Sequence, residues 1–245
     1  MITKEKAKSI LHKMIPDKYF YSLLHLKKKF SLQNFKSLSY SGDGEDILLQ
    51  RIFKDTHKGV YVDVGAFHPH YLSNTYLLYK AGWRGVNIDP NKNSIKLFNK
   101  YRPADLNLLT GISEDEKELT YYNFTHSGVN TFDREHANKK ENANGNRLVD
   151  TQKLQCVPLR KILSEHLDNT EIDLLDVDVE GMDLEVLKSN DWKVYRPKVI
   201  LVEDREFREK MTGSKIYTYL VDKGYAFYAY HNITLVMMQK GYLQK

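Results

Sequence analysis

The hydrophobic positions along this chain follow two rhythms. Up to about residue 40 they repeat at helical spacing, as Ile10, Leu11, Met14 and Ile15 and then Phe20, Leu23, Leu24 and Leu26, with Lys27, Lys28 and Lys29 following. This predicts a basic helical extension over residues 1–39. From Gly59 onward short β-rich runs alternate with helical stretches. Gly59–Gly65 (GVYVDVG), Gly85–Asp89 (GVNID), Asp105–Ser113, Ile172–Asp178 (IDLLDVD) and Val199–Glu203 (VILVE) read as strands. Ser73–Ala81, Asn93–Tyr101 and Asp183–Ser189 read as helices between them. That alternation predicts right-handed crossovers and an α/β fold with a doubly wound, mostly parallel sheet of Rossmann-like type.

Two regions break the alternation. Leu119–Phe124 and Leu154–Val157 read as extra strands around the polar stretch Asp133–Thr151, which is rich in Asn, Lys and Glu. With Thr125–Phe132 ahead of it, this stretch predicts a mobile lid at about residues 125–151. Near the C-terminus, Tyr225–Tyr230 and Thr234–Gln239 read as a hairpin that adds an antiparallel edge to the sheet.

Composition narrows the function classes. Of 245 residues 41% are hydrophobic, enough for a sizeable core, and residues 40–245 are expected to form one domain. No apolar run approaches the roughly 20 residues needed to cross a bilayer, and no signal-peptide pattern opens the chain. Cys156 is the only cysteine, which excludes an internal disulfide and fits a reducing cytoplasm. The net charge is +5, yet Met1–Lys36 alone holds nine lysines against Glu5 and Asp17, a balance of +7, so the remainder carries about −2. Nucleic-acid binding by the domain is therefore not expected. The basic leader suits an anionic membrane face or a partner subunit, or serves as a solvated accessory helix.

In an open α/β sheet, ligands sit beyond the carboxyl ends of the strands. The first strand ends in Asp63-Val64-Gly65, where glycine allows close backbone approach to a cofactor, and His68 and His70 follow. The second ends in Asp89, placed to accept the two hydroxyls of an adenosine ribose, or to cap the next helix through Asp89-Pro90-Asn91. The fourth runs into Asp176, Asp178 and Glu180, which period-two alternation puts on one side, and the fifth into Glu203-Asp204-Arg205. Asp178, Glu203 and Asp204 converging at one rim would form an oxygen site for Mg²⁺ or Mn²⁺, unless Arg205, Lys198 or another lysine neutralises them.

Three blocks together resemble the FkbM-type methyltransferases: Tyr40–Asp46 (YSGDGED), Tyr61–Pro90, and Leu175–Glu203. The family's entry motif more often carries Gln at the place of Gly42. The resemblance implies the class I methyltransferase fold, with seven strands and a terminal antiparallel hairpin. It implies S-adenosyl-L-methionine as methyl donor and a hydroxyl acceptor, commonly on a glycan or polyketide. Carried over residue by residue, Asp63 and Gly65 would face the methionine part and Asp89 the ribose. Ser113, with Glu114, would lie near the adenine, and Ser41, Glu45 and Asp178 would complete the cofactor site. The acids at Asp178, Glu203 and Asp204 also look like the metal site of catechol and macrolide-sugar O-methyltransferases.

Methyl transfer to a neutral hydroxyl needs a base or a metal to remove its proton. His68, His70 and Glu180 are the candidate bases, with His231 behind them; each histidine could equally be a hydrogen-bonded loop residue. Aromatic positions at Tyr121, Tyr122, Tyr228 and Tyr230 suit a polar, sugar-like acceptor. Two rival readings stand beside this one. An NAD-dependent oxidoreductase acting on a nucleotide sugar would share Asp89 but needs the GxGxxG loop that is absent here. A membrane-peripheral interaction protein would need neither cofactor nor acids. Oligomeric state is left open by the sequence.

Overall fold

The computed structural model describes residues 15–16, 19–22 and 37–242, apart from residues 142 and 169, with the side chain of residue 144 also left out. The chain divides into two units, Met1–Leu38 and Ser39–Lys245. In the first, residues 19–22 form one helical turn, in which Tyr19 and Phe20 donate their amides to the Pro16 carbonyl. The remainder of the predicted basic helices lies outside the described residues. Among the described residues, no helix is long and apolar enough to cross a membrane.

The second unit is built on a seven-stranded sheet. Its strands are β1 (Val60–Val64), β2 (Arg84–Asp89), β3 (Leu106–Leu109), β7 (Leu174–Val177), β8 (Val199–Glu203), β9 (Tyr225–His231) and β10 (Thr234–Gln239), in the order β3-β2-β1-β7-β8-β10-β9. All pairs are parallel except β10 with β8 and with β9, so the predicted closing hairpin is present. The order reverses between β1 and β7, and that is where such a sheet opens a crevice.

Central strands β7 (LLDV) and β8 (VILVE) are buried at every position, as expected for parallel strands covered on both faces. Their side chains alternate between two apolar clusters. Val62, Val64, Leu175, Val177, Ile200 and Val202 join the cluster packed by α5 (Leu159–His166), α6 (Asp183–Lys188) and α8 (Lys215–Asp222). Tyr61, Leu174, Val199 and Leu201 join the other, with Leu49 of α1 (Glu45–Ile52) and Leu78 of α2 (Tyr76–Lys80).

Three elements differ from the sequence reading. The expected third strand is two strands, because β3 pairs with β2 whereas β4 (Gly111–Ile112) pairs with β6 (Leu148–Val157). With β5 (Lys117–Phe124), these form a second sheet in the order β4-β6-β5. The helix after β1 starts at Tyr76, because Ser73 and Thr75 spend their hydroxyls on other partners. The polar stretch contains α4 (Arg134–Lys140), whose N-cap Asp133 accepts the His136 amide at 2.7 Å. Helices α3 (Lys92–Tyr101) and α7 (Arg205–Lys210) start on Asn91 and Asp204 in the same way.

Candidate active site

The end of β1 is stapled on both sides. The Gly65 amide donates to Ile88 O at 2.9 Å, and the Asp178 amide donates to Val64 O at 3.0 Å. Gly65 itself has φ 83, and a Cβ there would stand 1.8 Å from the Asp178 carbonyl oxygen, so only glycine fits. Two cavities open around this point. One, open at its mouth, is lined by Gly65, Phe67, Ile88, Asp89, Ile112 and Tyr121, among others. The second is lined by Asp63, Asn74, His126, Asp176 and further residues. Asp178 and Glu180 line both. Phe67, Leu72 and Glu180, three of the five described non-glycine residues with left-handed backbone, line one or both cavities. Strain of this kind gathers where the surrounding structure holds a chain in place for function.

Asp63 and Asp176 are register partners on β1 and β7, and both are buried. Burial lifts both carboxyls above the usual range; for Asp63 the Thr75 hydrogen bond and the Arg102 charge act against that. Thr75 Oγ1 donates to Asp63 at 2.6 Å, and Asn74 Nδ2 donates to Asp176 at 3.3 Å. Asp89 accepts the Phe67 amide at 2.8 Å on one oxygen and the Asn91 amide at 2.7 Å on the other. Burial pushes its carboxyl up to about 6, against those two hydrogen bonds. Asp89 thus ties the two loops together and lines the first cavity, while Asn91 caps the helix that follows.

The tips of β7 and β8 are crowded with charge. Asp178, Glu180 and Glu203 bring carboxylate oxygens within 4.8 Å of one another. Asp178 opens into the cleft yet lies deep among protein atoms, and desolvation, then the charges of Glu203, Asp183 and Glu180, hold its carboxyl well above the usual range. Asp183, buried and accepting the Val179 and Gly181 amides, is pushed up to about 8 by burial and Glu203. Glu180 goes the other way. Burial raises it, but His136 at 2.7 Å and Lys140 at 3.1 Å outweigh that and hold it below the usual range. Glu203 is paired with Arg205.

Several residues singled out in the sequence stand elsewhere. Asp204 does not join Asp178 and Glu203; its carboxylate accepts the Phe207 amide and the Ser214 hydroxyl, because it starts α7. His68 Nδ1 accepts the amides of His70 and Tyr71, and His70 packs its ring edge on Tyr76 and Tyr101; neither ring lines the two cavities. Ser113 is buried with its hydroxyl on the Asp115 carbonyl, and Thr110, Gly111 and Ile112 line the cavity in its place. Ser41 donates to Asp46, and Glu45 accepts the Asp43 amide and the Thr234 hydroxyl, so both brace the entry loop. His231, in the terminal hairpin, has its ring beside Gly44 of that same entry loop. Sequence reasoning passed over His126, which lines the second cavity, and His136, which clasps Glu180.

Comparison with family models matches residues 63–227 to the methyltransferase FkbM domain. The entry motif Tyr40–Asp46 lies outside that span. No curated protein matches the chain.

Proposed function

The chain belongs to the FkbM methyltransferase family, and from that premise we propose that it is an S-adenosyl-L-methionine-dependent O-methyltransferase acting on a hydroxyl of a glycan or other polar acceptor. The observation that carries the reading is the pairing of Asp89 and Asp178 on the lining of one crevice at the sheet's switch point, with Gly65 beside them. The two apolar clusters on alternating strand positions support a doubly wound sheet around that point.

The donor set suits an adenosyl sulfonium. Asp89 has acceptor capacity for two ribose hydroxyls, Ile88, Ile112 and Tyr121 offer an apolar slot, and Asp63 and Asp178 place negative potential toward a cationic end. When bound, the cofactor supplies an electrophilic methyl group. The chain's own task is to align the acceptor and take its proton. Asp178, which binds a proton more tightly than an ordinary carboxylate, and His126 share the second cavity and are the groups for that task.

A metal-assisted version has its own support, the convergence of Asp178, Glu180 and Glu203. Those three, without Asp204, would hold Mg²⁺ or Mn²⁺, which would orient the hydroxyl and acidify it. Chelation should then abolish transfer, and the ion should restore it.

A thermal-shift comparison tests the donor. Adenosylhomocysteine should raise the melting temperature and NAD should not; the reverse outcome would favour the oxidoreductase. For the leader we propose peripheral contact at the inner membrane face, driven by its lysines. Removing residues 1–36 should then abolish sedimentation with anionic liposomes.

A further inference from the structure

Arg102 ends α3 and is fully buried, an expensive place for a cation. Neutral oxygens accept its four side-chain hydrogen bonds to described residues: Pro69 O from Nε at 2.9 Å and Nη2 at 2.5 Å, Ser73 Oγ from Nη2 at 2.7 Å, and Thr75 Oγ1 from Nη1 at 2.8 Å. The guanidinium also lies over Phe98, Tyr76 and Tyr79, at 5.1, 5.4 and 5.5 Å from the ring centroids. All three acceptors sit in the connection from β1 to α2, which walls the second cavity through Phe67, Leu72 and Asn74.

The direction of the Thr75 link is fixed by chemistry. Arg102 can only donate, so Thr75 Oγ1 must accept from it, and its single proton is left for Asp63, 2.6 Å away. We infer that Arg102, acting through Thr75, is a positioning residue that orients Asp63 toward the cationic amino-acid end of the bound donor. The inference rests on the methyltransferase reading and extends it to a residue outside the cavity lining. Both partners favour a charged Asp63 against its burial. The acids that oppose them, Asp176 from β7, Asp89 from β2 and Asp105, act on it through their charge and take their hydrogen bonds from other partners, so among the described residues the Thr75 hydroxyl makes the side-chain contact to Asp63.

Two ligands separate positioning from mere support. Adenosylhomocysteine carries the amino-acid end, and 5′-methylthioadenosine lacks it while keeping the adenosine. Thr75→Val removes the relay at nearly constant shape. By calorimetry it should bind adenosylhomocysteine about tenfold more weakly, the loss expected for one charge-assisted hydrogen bond. It should bind methylthioadenosine as the unaltered protein does, and Thr75→Ser should restore the lost affinity. Arg102→Gln should repeat the selective loss; if that variant does not fold, the Thr75 pair still decides. Equal weakening of both ligands, or of neither, overturns the relay while leaving the donor assignment intact. If the unaltered protein binds neither nucleoside, the donor assignment and the relay fall together.

Discussion

At the tips of β1 and β2, Asp63 and Asp89 are held by uncharged donors: the Thr75 hydroxyl for one, the Phe67 and Asn91 amides for the other. At the tips of β7 and β8, Glu180 and Glu203 are held by Lys140, His136 and Arg205. The first arrangement fixes a carboxylate in place and leaves its charge uncancelled, which suits permanent recognition of a hydroxyl or cation. The second cancels charge with side chains that can be exchanged, which suits a rim that must rearrange around an acceptor. Asp178, between the two, is held above the usual carboxylate range by burial and by its like-charged neighbours.

The largest expected effect separates the two regions by pH. Asp183, whose carboxyl rises from 3.8 to about 8 on folding, takes up a proton that the unfolded chain has released. Its contribution is therefore most favourable below pH 4 and is lost as pH climbs toward 8, by about 1.4 kcal/mol per pH unit. Denaturant titrations should show Asp183→Asn with a flatter decline across that interval. An unchanged slope would mean the crowding is not felt. Next in size, Asp89→Ala should weaken adenosylhomocysteine on the order of a hundredfold, since hydrogen bonds to a charged group contribute about 1.5–3 kcal/mol. A loss under threefold by calorimetry would remove Asp89 from the ribose.

A smaller effect is expected on the clasped side. Lys140→Ala should cost about 1 kcal/mol of stability and leave adenosylhomocysteine affinity unchanged, because Lys140 pairs with Glu180 but itself lines neither of the two cavities. If donor affinity fell as well, the two regions would not be separable. Smallest of all, His68→Asn should alter methyl transfer by less than about twofold, since its ring is occupied by its own turn. A large loss would return His68 to the base role.

The strand-end acids were legible because a buried strand with an acid at its last or penultimate position is a strong local pattern, visible in VYVDV, GVNID and LLDV. The direction each acid takes was not. Asp204 follows Glu203 in sequence but turns to the Phe207 amide of α7, although Asp204-Arg205-Glu206-Phe207 at a helix start is itself a capping signal. His126 and His136 sit in polar sequence without periodicity, and only the return of the chain after β5 brings them to Glu180 and the cavity. The break between Leu109 and Gly111 has the same origin: its two halves pair with partners far apart in sequence.

The central claim is that one crevice at the strand reversal binds the methyl donor. A crystal structure with adenosylhomocysteine tests it most directly. The account predicts the ribose hydroxyls on Asp89 and the amino-acid end toward Asp63, with the sulfur facing Asp178. A nucleoside bound elsewhere, or a crevice that stays closed to it at saturating concentration, would contradict the account.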